Sequence, residues 1–302
     1  MSRVTTHGNY QSALLDMMAA QNRSFEAQKR VSTQKNATDL VGFGRESAAV
    51  NALRSSHARI NSFVEVGKIV NDRLTAQDLA LGRIQEAATN ARLAIANAIA
   101  AGRTDGLEAE IEIQFQIVQD ALNTKHQGQY LFSGGVMDQP PVSTTNLAGL
   151  AGSAVASAFQ SGELRQASRL DENVVMDTGF IAHELGTQLF GVFQSFAQNA
   201  PFAGAIDGAT DTFLTGIMQQ FEQAATGLVN EQAKNGTYQQ RVEKLITDNE
   251  VRADAVEVML GGKTDADLAK AVTDLEMSQL ALQAAAQVIN QLRQVSLLDY
   301  LR

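Results

Sequence analysis

Cysteine is absent from this 302-residue chain, which excludes disulfide staples and thiolate metal sites. Tryptophan is absent too, aromatic residues reach only 6%, and the whole chain holds three prolines, so long helices can run without a break. Basic residues are in deficit: 24 Lys and Arg face 33 Asp and Glu, for a net charge of −9 and a pI near 5.0. No Lys/Arg cluster is dense enough to track phosphates, which excludes a nucleic-acid groove. There is no 18-residue apolar run to span a membrane, and the opening MSRVTTHGNYQ has neither the apolar h-region nor the cleavage site of a secretory signal. If the protein leaves the cell, it does so by a route that reads no such signal.

What is present is 44% hydrophobic residues, ample for a core, with Ala, Leu, Gln and Val foremost. Their spacing is helical. In the last forty residues Leu268, Leu275, Leu282 and Ile289 fall seven apart, with Val272 and Ala286 four residues after two of them. This lays one narrow apolar seam along a helix of roughly 30 residues. Thr264 is placed to cap its start, with Asp265 and Asp267 in the first turn, where the helix dipole favours acids. At the other end Val4, Met18 and Phe25 share a seven-residue register, flanked by Leu14 and Leu15, and predict a first helix from about His7 to Val31. A helix with one seam cannot bury it alone. The two terminal helices are therefore expected to pair, with further copies of the protein covering what the pairing leaves exposed. The residues expected at that assembly interface are Val4, Met18, Phe25, Leu268, Leu275, Leu282, Ile289, Leu297 and Leu298.

Between the ends the pattern is near-symmetric. A joint rich in Gly, Ser, Thr and Asn follows the first helix. From there Leu53, Ile60, Gly67, Leu74, Leu81, Ala88 and Ile95 hold one heptad position, with Phe63, Val70, Ile84, Ala91 and Ala98 three residues later. These predict a rod helix of about 50 residues, ~75 Å long. Gly102 and Gly106 break it, and a third helix with Ile111, Phe115, Val118 and Leu122 on one face folds back. Residues 133–186 are rich in small residues, and the alternation Arg169 to Met176 predicts a β-hairpin turning near Asp171 to Asn173, within a small, mostly β insertion facing solvent. Helical spacing resumes at Leu189, pauses at Asn199 to Pro201 and runs from Phe213 to Leu260, with Gly261-Gly262 expected as the second joint. The expected organisation is 1–44 and 263–302 as terminal helices, 45–132 and 187–262 as rod halves, and 133–186 as the insertion.

Chemistry-bearing motifs are few. Ser32-Thr33-Gln34-Lys35 matches the Ser-x-x-Lys of serine acylating enzymes, but Lys263-Thr264-Asp265 lacks the glycine a companion motif needs, and a solvated helix-end loop explains the match. His183-Glu184 would open a zinc-binding helix, yet the required second His is Thr187. No catalytic, cofactor or metal residues are expected, and the chain is not expected to be an enzyme.

The order of elements, the segment GQYLFSGG followed by a proline-closed insert, and the ending SLLDYLR on a helix led by TDADLAKAVTDLE resemble the flagellin superfamily, most closely its hook-filament junction branch, the hook-associated protein 3 type. The resemblance covers nearly the whole chain, weakly at 142–185. It implies a mainly α, elongated flagellin-like helical rod with terminal coiled-coil helices and a small β-rich insertion domain. It implies an extracellular structural role in the bacterial flagellum, export through the type III apparatus with a flagellar chaperone, and self-assembly into a ring. The neighbours it implies are hook-associated protein 1 on the hook side and flagellin on the filament side, with no nucleic acid and no membrane. Flagellin itself is the near alternative. A membrane-active type III translocator is a remote one, since the chain lacks a basic interfacial face.

Overall fold

The structure, a computed structural model, describes residues 2–136, 138–143, 145–202 and 204–300. It is mainly helical: α1 (Ser2–Thr33), α2 (Ser47–Ala101), α3 (Leu107–Leu122), the short α4 (Leu147–Ala151), α5 (Ala182–Gln198), α6 (Gly208–Thr264) and α7 (Leu268–Tyr300). Two small antiparallel hairpins interrupt the helices, β1 (Lys125–His126) with β2 (Gln129–Tyr130) and β3 (Ala167–Asp171) with β4 (Val174–Asp177). The chain divides into two compact units, one of residues 1–59 with 252–302 and one of residues 60–251.

In the 60–251 unit the heptad reading of α2 holds. Gly67, Leu74, Leu81, Ala88 and Ile95 are buried, as are Val70, Ile84 and Ala91. At Gly67 α2 packs tightly against α6: an added Cβ would lie 2.7 Å from Ile246 Cγ1, so any larger residue would displace that side chain. Leu81, Ile84 and Ile95 meet Ile111, Phe115, Val118 and Leu122 of α3, Leu189 and Phe193 of α5, and Leu214, Ile217 and Phe221 of α6 in one core. Phe193 lies at its centre, with ring centroids 5.1 Å from Phe115 and 5.0 Å from Phe221, within the range for favourable tilted and edge-to-face contact. The chain turns from α2 into α3 where Gly102 and Gly106 take φ of 65° and 79°.

The predicted hairpin forms, with Asp171 opposite Val174 and Glu172-Asn173 at the turn. Elsewhere 133–186 has less strand than its small-residue texture suggested: α4, a 3-10 turn at Val155–Ala158 and irregular chain fill it. Nor does it stand apart in solvent. Val142, Leu147, Leu150, Ala158 and Phe180 enter the core described above, while Leu170 and Met176 of the hairpin pack with Val70, Leu74 and Val242. Three side-chain hydrogen bonds tie the hairpin and its flanks down: Asn249 Nδ2 donates to Leu170 O (3.1 Å), and Arg73 donates to Gln166 Oε1 and Thr178 Oγ1.

The second joint lies elsewhere than expected. Helix α6 continues through Gly261 and Gly262 to Thr264, and the break is Asp265–Asp267. Glycine costs a helix only about 1 kcal/mol each, so Gly261 and Gly262 do not by themselves end it. The cap of α7 is accordingly Asp267, whose Oδ1 accepts from Lys270 N (3.1 Å), rather than Thr264.

Replacing Phe193 by Ala should cost about 3–5 kcal/mol of stability, whereas Val175→Ala, on the exposed face of β4, should change it by less than about 0.5 kcal/mol. Denaturant unfolding of the two variants beside the parent checks both.

Candidate assembly interface

The terminal helices do pair. Across α1, Ala13, Met17, Ala20, Ser24, Ala27 and Val31 are buried or half-buried at alternating spacings of four and three. Across α7, Ala271, Leu275, Ser278, Leu282, Ala285 and Ile289 repeat the same rhythm, and the two helices are in extensive contact. This is the rhythm of a coiled-coil seam. The helices run antiparallel, since Lys35 meets Asp265, Arg30 Nη1 lies 3.6 Å from Asp274, and Ala20 and Ala27 share a groove with Ser278 and Ala281. The best-buried positions are small: Ala20, Ala27, Ala271 and Ser278. Small side chains let the helices approach closely while Leu275, Leu282 and Ile289 supply apolar area.

A short bridge closes the base of the pair. Asn36 N donates to Thr264 O (2.7 Å) and Ala266 N to Gln34 O (3.0 Å), while Asn36 Nδ2 donates to Asp265 O (2.9 Å) and Lys35 Nζ pairs with the Asp265 carboxylate. Gln34 adopts φ 58° to turn the chain into this bridge. Hydrogen bonds from Lys35 and then Thr264, with the Lys35 charge, hold the Asp265 carboxyl below its ordinary value. The Ser-x-x-Lys motif is thus taken up structurally: Lys35 is in this ion pair and Ser32 Oγ donates to Lys29 O within its own helix (3.0 Å). His183 and Glu184 also have local partners, Ser161 and Arg165. Among the described residues no group of three metal-ligating side chains occurs.

The nine residues expected at the interface fall into three sets. Leu275, Leu282 and Ile289 lie half-buried in the seam within the chain. Met18, Phe25 and Leu268 stay exposed, Phe25 at 70% and Met18 at 52%; Met18 and Phe25 sit roughly a third of a turn or more around α1 from its seam, by 100° per residue. The side chains of Val4, Leu297 and Leu298 lie outside the described residues. The register of Met18 and Phe25 is therefore not the one that meets α7. The best-buried positions of the α1 seam are alanines, which carry little hydropathy signal; its mark in the sequence is the seven-residue repeat Ala13, Ala20, Ala27. Beyond the nine, Leu15 on α1 and Met277, Leu280 and Val288 on α7 are exposed; Leu280 lies opposite the α7 seam by the same helical geometry, whereas Met277 lines the groove beside it. Each terminal helix thus carries one apolar seam satisfied within the chain and further apolar side chains that are not.

Such an arrangement defines a class: a helical protein whose two ends form a coiled-coil pair with apolar surface to spare. Residues 218–301 match the bacterial flagellin C-terminal helical region. The fold is similar to that of a structure assigned to a flagellar hook-associated protein from Vibrio parahaemolyticus, with TM-score 0.59 and 13% identity over 75% of this chain and 99% of that one. It is also similar to FlgL of Bacillus cereus, with TM-score 0.54 and 17% identity over 70% of this chain and 98% of that one. The sequence matches no curated protein at a significant level. By its C-terminal region the chain is similar to bacterial flagellins, and in fold it is similar to these two structures.

Ala27→Glu, which forces a charge into the seam, should open the α1–α7 pair, seen as lost helical circular dichroism and faster amide exchange over 13–31 and 271–289. Phe25→Glu should leave both unchanged in the monomer. Because the Asp265 carboxyl is held low in the folded chain, its contribution is present above the ordinary aspartate pKa and lost as pH falls through the depressed value. Protection of the Asn36 and Ala266 amides should therefore weaken below about pH 4, and Asp265→Asn should weaken it already at neutral pH.

Proposed function

We propose that this protein is a structural adaptor of the bacterial flagellum, assembling as a ring between hook and filament, with hook-associated protein 1 on one side and flagellin on the other. It reaches that place through the type III export apparatus with a flagellar chaperone, and it performs no catalytic step. The observation that carries this reading is the apolar surface left on α1 and α7, at Leu15, Met18, Phe25, Met277 and Leu280, after the two helices have satisfied each other. Monomeric proteins do not keep rows of exposed Phe, Met and Leu along paired helices without a partner to cover them. Burial at about 25 cal/mol per Å² makes further copies the natural cover. The match over 218–301 alone would suit flagellin equally; likeness of fold to hook-associated proteins across most of the chain supports the junction over the filament subunit. Among the described residues no helix is long and apolar enough to cross a membrane.

The pair Phe25→Asp and Leu280→Asp tests the reading, since both side chains are exposed and point away from the α1–α7 seam by helical geometry. The expected result is a folded, exported monomer that no longer assembles and cells without filaments. Normal filaments on that double variant would defeat the proposal. Leu282→Asp discriminates less well, because Leu282 also belongs to the seam within the chain.

A further inference from the structure

Within the 60–251 unit, α2 and α6 meet along two buried seams. On α2 the positions Val70, Gln77, Ile84 and Ala91 fall seven apart, and on α6 Leu214, Phe221, Leu228, Asn235, Val242 and Asn249 do the same; all are buried. Each seam is apolar except where Gln77, Asn235 and Asn249 stand in it. Asn249 donates to Leu170 O of the β3–β4 hairpin. Gln77 and Asn235 lie instead between the helices.

The antiparallel register puts these two at one level. Gly67 of α2 lies against Ile246 and Gly82 against Gln232, and between those contacts Asn235 Nδ2 donates to Leu74 O (2.9 Å), about one helical turn from Gln77. Gln77 is fully buried, and neither its Oε1 nor its Nε2 has a hydrogen-bond partner among the described residues. Asn235 Oδ1 is buried in the same way, as are Asn71 Oδ1 and Arg73 Nε one to two turns back along α2. Burying polar atoms without partners is costly. Among the described residues of α2 and α6, that cost falls on 71–77 and Asn235 alone.

The apolar core divides at this layer. On one side lies the large core around Phe193. On the other, Val70, Leu74, Leu170, Met176 and Val242 form a separate cluster of five buried residues, and among the described residues only the half-buried Tyr238 packs against both. So small a cluster has little apolar area to set against the entropy of ordering two helix segments and a hairpin. From this we infer that the unit is built in two cooperative parts: 60–76 and 238–251 open together with β3–β4, as one local transition, while the Phe193 core stays folded. The polar layer is the boundary, and β3–β4 undocks from α2 and α6 without global unfolding.

Amide exchange on the full chain, in rising but sub-denaturing guanidinium, tests this. Corrected for intrinsic rates, amides of 63–74, 167–177 and 240–250 should share one denaturant dependence. They should exchange roughly tenfold or more faster than those of 84–98, 111–121 and 214–228. Ile217→Val, a change in the large core, should speed the second set several-fold and leave the first unmoved, because the first opens with that core intact. Gln77→Met keeps the side-chain volume and removes the unpartnered amide, so it should slow the first set roughly tenfold. One rate profile for both sets, equal acceleration of both by Ile217→Val, or a Gln77→Met variant whose first set exchanges as fast as the parent's or faster would overturn the inference.

Discussion

A helix with one narrow apolar seam cannot bury it unaided, and this constraint governs both ends of the chain. Helices α1 and α7 meet it by pairing with each other, although more than 230 residues separate Lys35 from Ala266 in sequence. Such long closure is entropically costly, and the bridge of Gln34, Lys35 and Asn36 to Thr264, Asp265 and Ala266 is where it is secured. Two backbone hydrogen bonds there fix the register of the first turn, and the alternating seam of small and larger residues carries that register outward. The exposed ion pair between Lys35 and Asp265 adds little energy by itself; its value is in placing the backbone partners.

The 60–251 unit answers the same constraint with more elements. Four helices, α2, α3, α5 and α6, share one core, and phenylalanines fill its widest part at Phe115, Phe190, Phe193 and Phe221. Further along α2 and α6, the β3–β4 hairpin packs on the pair through a small apolar cluster. There polar side chains take over positioning: Asn235 Nδ2 reaches Leu74 O (2.9 Å), Asn249 reaches Leu170 O, and Arg73 reaches across to Gln166 and Thr178. Buried polar groups of this kind do less for stability than for fixing which arrangement is adopted.

Large residues at regular spacing made much of this legible from sequence. Leu74, Leu81 and Ile95 announced α2 and its buried face, and the alternation Arg169 to Met176 announced the hairpin with its turn. What escaped had physical causes. Gly261 and Gly262 looked like a joint, yet helix propensity is a weak prior against tertiary contacts. The α1 seam rests on Ala20 and Ala27, whose small side chains carry little hydropathy signal, so the louder register of Met18 and Phe25 was read in its place. The segment 133–186 looked separable because it is rich in small residues, while its few large ones, Leu150 and Phe180 among them, sit in the shared core.

The exposed apolar side chains of α1 and α7 connect fold to role, because they are surface the single chain leaves uncovered. The match of residues 218–301 to the flagellin C-terminal helical region supports the proposed role of that surface in assembly. Electron microscopy of flagella from a strain lacking this gene, with the culture fluid assayed for shed flagellin, tests that account most directly. Hooks without filaments and flagellin lost to the medium are the predicted result for an adaptor that seats the first filament subunits. Intact or merely thinner filaments would contradict it and mark the protein as one filament subunit among several.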